Sequence, residues 1–353
     1  MPGPGSPILI DGSHGEGGGA LVRTCLVMST LTLQPVRIDG VRGGTKFPGL
    51  DFEDLLLLKA LAKSCSAETT GVQIGSTTVS FLPTRRPKGL NENLDLPEES
   101  SHHRSASVPV VLCSLLPVLA KTGAYSEVSL SGETYGTRSL SFDYFLNVTI
   151  PALQKMGLYA FPDQELAGFG RESRGQVTMD VEPSAIQGID WPSRGNLVGA
   201  KAVVTTAELP VSVAHRAINH LEKLAQNAKL PIEIETNPVD SRTPGAFVTI
   251  WAQYERGVGG ATAIGQRGLR VEHLVQAAFQ ETLAWIATDA TVDPFLADQL
   301  LIPACLAEGE TIFKTSRLTK RFLTATWVVK QFLPIHITVR GSEDQPGVVT
   351  VAK

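Results

Sequence analysis

The chain reads as an α/β (α+β) protein in which three repeated βαβαββ units form a main domain and a small α/β domain is inserted. Three observations predict this. Short alternating apolar segments of strand type exchange with longer apolar segments of helical period along most of the 353 residues. The order strand, helix, strand, helix, strand, strand recurs, without a strong sequence repeat beneath it. One stretch breaks that rhythm. The expected boundaries are therefore 1–184 and 269–353 for the main domain and 185–268 for the insert.

In the first unit, Ile8–Ile10 reads as a strand, and Leu21, Cys25 and Met28 recur at helical spacing in a helix starting near Ala20. Pro35–Arg42 alternates as a strand, Gly43–Gly49 is a turn, and 51–64 is a leucine-dense helix. Residues 67–83 give two strands about Gly75-Ser76. In the second unit Leu94-Asp95-Leu96 is a short strand and 107–121 a helix with Pro109 in its first turn, where proline is tolerated. Tyr125–Ser131 is a strand, 142–157 a helix that Pro151 should kink or break, and Gln176–Val181 a further strand. The last unit has helices at 272–288 and 318–331 and strands at 335–339 and 348–351. The insert has strands at 200–206, 232–236 and 246–252, a helix at 211–228 and a Pro/Gly-rich loop at 237–245.

Composition bounds the function. Apolar content of 42% supports a real core, and a net charge of -4 argues against a broad basic footprint for nucleic acid, though not against a local groove. Cys25, Cys65, Cys113 and Cys305 are far apart in apolar contexts, which suits buried thiols in a reducing compartment. No apolar stretch is long enough to span a membrane and the chain opens without a signal peptide, so no membrane partner and a cytoplasmic location are expected.

The stretch Ile8-Leu9-Ile10-Asp11-Gly12-Ser13-His14-Gly15-Glu16-Gly17-Gly18-Gly19-Ala20-Leu21-Val22-Arg23 runs strand, glycine loop, helix N-terminus. Glycines let backbone N–H groups approach a phosphate, and the helix end adds unpaired donors. Gly15, Gly17, Gly18 and Gly19 would form that cradle, with Arg23 one turn in as a bidentate phosphate contact. Glu16 belongs in an anion cradle only with a metal, a ribose hydroxyl or a cation beside it. The loop matches neither a P-loop nor a dinucleotide fingerprint, and a tight turn needing glycine explains it equally well.

Read with four later stretches, this loop resembles the RNA 3'-terminal phosphate cyclase family. The stretches are Val41-Arg42-Gly43-Gly44 with Phe47-Pro48-Gly49-Leu50; Leu115-Leu116-Pro117; Phe295 to Pro303, containing Leu296-Ala297-Asp298-Gln299-Leu300; and Phe332-Leu333-Pro334. The resemblance implies three βαβαββ units plus a small insert, as the patterns do. It implies ATP with Mg²⁺ or Mn²⁺ as cofactors, an adenylated histidine, and conversion of an RNA 3'-phosphate end to a 2',3'-cyclic phosphate. Glu16 and Asp298 would serve the metal or hydroxyl groups, Arg23 and Arg42 the phosphates, and Phe295 the nucleotide. RNA 3' ends and nucleotide are the implied partners. A homodimer accords with the family, and a GTPase partner with nucleolar location belongs to its ribosomal-RNA-processing branch, which typically loses the glycine loop kept here.

Departures from the family pattern point the other way. The nucleophilic histidine falls at Arg321, which stays protonated and cannot act so. Thr45, Glu53, Cys113 and Phe295 stand where the family has arginine, glutamine, glutamine and tyrosine. Gly132-Glu133-Thr134 and Gly170–Gly175 replace further family loops. His14, or His103 with its neighbour His102, could substitute as nucleophile, although loop histidines are mostly solvated. His215, His220, His273 and His336 read as structural or surface residues. Lys320 with Arg321, and Arg85-Arg86-Pro87-Lys88, are solvated basic segments unless RNA lies near. Trp191 and Trp251 pack in the core unless a base stacks on them. Glu53, Glu133 and Glu172 should weaken triphosphate binding unless metals or Arg138, Arg171 and Arg174 compensate. Three readings result: a cyclase or nucleotidyl-transfer variant, a catalytically degenerate binding or scaffold protein in RNA processing, and a paralogue with altered chemistry on another phosphorylated substrate.

Overall fold

The computed structural model describes residues 6–94, 105–136, 140–170 and 172–352. Its first unit is β1 (Ile8–Asp11), α1 (Gly19–Thr32), β2 (Val36–Asp39), α2 (Phe52–Cys65), β3 (Glu68–Thr70) and β4 (Thr78–Leu82). The sheet order is β1-β2-β4-β3, with β1 and β2 parallel (Ile8 beside Val36) and the other pairings antiparallel. The second unit is β5 (Asn91–Asn93), α3 (Val108–Ala120), β6 (Ser126–Gly132), α4 (Phe142–Tyr144), α5 (Ile150–Lys155), β7 (Ala160–Leu166) and β8 (Gly175–Val181), in sheet order β5-β6-β8-β7. Between α4 and α5 the helix continues as a π-turn over Phe145–Thr149. Pro151 has no N–H to give the preceding turn, and the widened turn just before it is where the expected break is absorbed. A short strand forms at Asn91–Asn93; of the strand expected at 94–96, Asp95 and Leu96 lie outside the described residues.

The third unit begins at β9 (Asp190–Trp191) and is then interrupted. The interruption holds β10 (Leu197–Ala207), α6 (Val211–Ala228), β11 (Ile232–Pro238), β12 (Gly245–Tyr254), β13 (Gly257–Ile264) and α7 (Val271–Ile286). The unit resumes with α8 (Pro294–Leu306), β14 (Thr311–Thr315), α9 (Lys320–Phe332), β15 (His336–Arg340) and β16 (Gly347–Ala352). Its sheet order, β9-β14-β16-β15, repeats that of the first two units. The inserted strands form their own sheet, β11-β10-β12-β13, with α6 and α7 packed on one face. The expected insert, 185–268, differs from this pairing at both ends. β9 pairs with β14, and α7 packs on β12, β13 and α6 rather than on the third unit. α8 was not legible as a helix, because Pro294 and Pro303 punctuate it; Pro294 sits in the first turn, where its missing N–H costs nothing.

Helices of the three units pack on one another in the middle, α1 against α2, α3 and α9, and α8 against α3 and α9, with apolar sheet faces closing over them. This core includes Cys25, Cys65 and Cys305, which are buried thiols, and both Trp191 and Trp251, so neither indole is exposed to a base. No helix among the described residues is long and apolar enough to cross a membrane.

Candidate active site

The site lies where the N-termini of α1 and α9 meet α2, α3 and α8. Leaving β1, the chain makes a tight turn: the Ser13 N–H and hydroxyl both donate to Asp11 Oδ1 (2.9 and 2.6 Å) and Gly17 N donates to His14 O (2.8 Å). Gly15 and Gly17 adopt φ +60° and +56°, and a side chain on Gly17 would come within 2.7 Å of Ser13 O. These two glycines therefore serve the turn. Gly19, the first residue of α1, does something else. A Cβ there would stand 2.6 Å from Arg23 Nη1 and 3.1 Å from Arg42 Nη1, so its bareness makes room for two guanidiniums at a helix end that no side chain caps.

Both arginines are tied to one carboxylate. Asp54, fully buried in the first turn of α2, accepts from Arg23 Nη1 (2.8 Å) and Arg42 Nη1 (3.0 Å), while Arg42 Nη2 lies 3.4 Å from Asp51. Arg42 reaches this position from a left-handed backbone, φ +54°, which for a non-glycine residue stores strain beside the site. Opposite them, the Glu16 N–H donates to Thr324 Oγ1 on α9 (2.9 Å), anchoring the loop to that helix. Glu16 Oε2 is buried without a hydrogen-bond partner among the described residues. Asp298, on α8, accepts from Thr319 Oγ1 (3.1 Å) and faces Arg321 Nη1 at 3.7 Å. Burial pushes the Asp298 carboxyl up to about 7, with Glu16 adding to the rise and Arg321 and Thr319 opposing it.

A cavity of about 280 Å³ gathers Glu16, Gly19, Arg23, Arg42, Phe295, Asp298 and Arg321 on one wall or another. Phe295 meets Tyr144 edge-on, ring centroids 6.5 Å apart. Gly15, Gly17 and Gly18 shape the loop but do not line the cavity. His14 also lies off it, stacked on Trp327 at 3.8 Å between ring centroids. His102, His103, Arg138 and Arg171 lie outside the described residues. Cys113 lines the cavity with its thiol pushed up to about 12 by burial, so it stays protonated at neutral pH. Glu53, also on the wall, adds a carboxyl near Arg42.

Several working residues escaped the sequence reading. Asp54 could have been flagged as an acid inside the run Phe52-Glu53-Asp54-Leu55-Leu56-Leu57-Leu58, where only a buried cation would justify it. Thr319 and Thr324 carried no signal. Asp293 caps α8 through Phe295 N and Leu296 N (2.7 and 3.0 Å), and its second oxygen accepts from Tyr144 Oη (2.5 Å) and Gly260 N (2.9 Å). It thereby ties the insert to the helix that bears Asp298.

Sequence comparison matches residues 14–339 to the family described as RNA 3'-terminal phosphate cyclase. The chain is 32% identical over 324 residues to the RNA 3'-terminal phosphate cyclase of Gloeothece citriformis, covering 92% of this chain and 93% of that protein. It is 32% identical over 356 residues to the cyclase of Methanopyrus kandleri (98% and 99% covered). To that of Thermococcus gammatolerans it is 33% identical over 350 residues (98% and 97%).

Proposed function

Because the chain belongs to the RNA 3'-terminal phosphate cyclase family, we propose that its α1–α8–α9 cavity binds a nucleotide together with the phosphorylated 3' end of an RNA, and that it does so without forming a histidine adenylate. The observation that carries this reading is the convergence of Arg23, Arg42 and Arg321 with the uncapped start of α1 on a single cavity. Arg321 stands on that wall in the first turn of α9, and His14, the described alternative, is stacked on Trp327 away from it.

The residues fit ATP with a divalent cation. The cavity wall carries the carboxyls of Glu16, Glu53 and Asp298, and Asp54 lies just behind Arg23 and Arg42, so a bare triphosphate would meet near-balanced charge. The unpartnered Glu16 Oε2 and the neighbouring Asp298 offer the oxygen donors that Mg²⁺ accepts alongside phosphate oxygens and waters. ATP, when bound, supplies an electrophilic α-phosphorus. The chain's own part is to hold phosphate oxygens at Arg23 and Arg42 and to offer Phe295 as a base platform.

A 3'-phosphorylated RNA and ATP, each titrated calorimetrically with and without Mg²⁺, test the binding. Arg23→Ala should lose at least tenfold in affinity for both, and unchanged affinity would reject the cradle. In parallel, RNA labelled at its 3'-phosphate is incubated with protein, ATP and Mg²⁺ or Mn²⁺ and then treated with phosphatase. The label should remain sensitive; resistant label would reject the claim that the adenylate route is lost.

A further inference from the structure

Five residues beyond Arg42, the loop that leads into α2 presents a bare ring. Phe47 is 68% exposed. The backbone beneath it is pinned. Thr45 N donates to Arg42 O (3.0 Å), Gly44 N to Gly17 O in the glycine loop (3.0 Å), Gly49 N to Val41 O (2.7 Å) and Leu50 N to Ser76 O (3.0 Å). The Thr45 hydroxyl donates to Arg42 O (2.8 Å) and Phe47 O (3.0 Å). Lys46 Nζ sits 5.5 Å from the centre of the ring. A scattered exposed aromatic needs no explanation. This one stands on a hydrogen-bonded loop that also delivers a cavity arginine, with one cation beside it.

We propose that Phe47 is a stacking platform for a base of the RNA strand whose 3'-phosphate lies at Arg23 and Arg42, with Lys46 taking a backbone phosphate of the same strand. The proposal rests on the reading of the cavity given above. Five residues of chain span at most about 17 Å, which puts the ring within a few nucleotides of the cavity. An exposed aromatic with a neighbouring cation is the composition that binds single strands without sequence preference, because every base has a π-face. With a net charge of -4, the protein has no broad basic field to hold RNA, so grip beyond the terminal phosphate must come from local contacts of this kind.

The test compares two ligands: a fluorescein-labelled hexanucleotide with a 3'-phosphate, followed by anisotropy, and cytidine 3'-phosphate, followed by calorimetry. The mononucleotide serves as the cavity ligand, and Phe47 is not among the residues lining that cavity. Phe47→Ala should weaken the hexanucleotide about tenfold, the loss typical of one stacked base, and leave cytidine 3'-phosphate unchanged. Phe47→Trp should restore hexanucleotide binding. Lys46→Ala should lower the slope of log affinity against log salt by about 0.7 for the hexanucleotide alone. Unchanged hexanucleotide affinity in Phe47→Ala would overturn the platform while leaving the cavity reading intact, and would assign the ring to a protein contact or to none. Equal losses for both ligands would make it a structural prop of the Arg42 loop. If the unaltered protein binds neither ligand, the cavity reading falls and takes the platform with it.

Discussion

Replacing Asp54 with asparagine removes one negative charge and leaves the shape. In the native protein this carboxylate is wholly buried and accepts two charged hydrogen bonds, from Arg23 at 2.8 Å and Arg42 at 3.0 Å. An asparagine still offers one acceptor but turns an NH₂ toward the second guanidinium. Removing one partner of a buried ion pair costs about 3–5 kcal/mol. The low end applies, because the arginine side chains keep 19% and 17% of their exposure and Arg42 retains Asp51 at 3.4 Å. About 3 kcal/mol corresponds to a fall in Tm of roughly 4 °C if all 353 residues unfold together, and to more if the first unit melts alone. Differential scanning calorimetry of Asp54→Asn reads this directly. A triple variant that also carries Arg23→Met and Arg42→Met should recover part of the loss, because the stranded charges are then gone. A Tm within 1 °C of the native value, or no recovery in the triple variant, would refute the view that Asp54 exists to neutralise and place the two arginines.

The pH dependence of stability should carry an acid signature from two buried carboxyls that tie the insert down. Asp143 accepts from Tyr135 Oη (2.8 Å) and Thr205 Oγ1 on β10 (2.6 Å), Asp293 accepts from Tyr144 and Gly260, and burial pushes each from 3.8 up to about 6. Each binds its proton more tightly folded than unfolded. The stability they contribute is therefore fully present below 3.8 and is lost as pH rises through about 6, by roughly 3 kcal/mol per group at most. Tm should fall between about pH 4 and 6.5, the window set by the unfolded and folded pKa values, and Asp293→Asn should flatten that slope; an equally steep slope in the variant would sink the assignment. In the glycine loop, Gly17→Ala should cost about 2 kcal/mol or more, since φ is +56° and the methyl meets Ser13 O and Gly44 backbone. Gly18→Ala should cost under about 1 kcal/mol, because its methyl meets only side-chain atoms, of Glu16 and Thr45. It should nevertheless blunt the Mg²⁺ dependence of nucleotide binding, read by calorimetry, through displacement of the Glu16 carboxylate.

What could be read from the sequence divides along a physical line. The three-unit order was legible because each unit's strands and helices carry their own period, and the strand-to-helix glycine loop because glycine marks backbone that other residues cannot follow. The cavity wall of Glu16, Arg23, Arg42, Phe295, Asp298 and Arg321 came from motif positions and does converge. What stayed hidden depends on contacts between distant parts of the chain. β9 is two residues long and has meaning only beside β14; α7 carries an ordinary helical period, and nothing local says which sheet it covers. Asp54 is an acid in a helix's first turn, a position that favours carboxylates on its own account, and only the fold brings Arg23 and Arg42 onto it. The same separation bears on function. Glu16, Arg23, Arg42 and Asp298 keep the cavity's frame, yet its charge balance is set also by Asp54, Glu53 and Arg321. What chemistry the cavity can support turns on those three neighbours as much as on the glycine loop that announces the family.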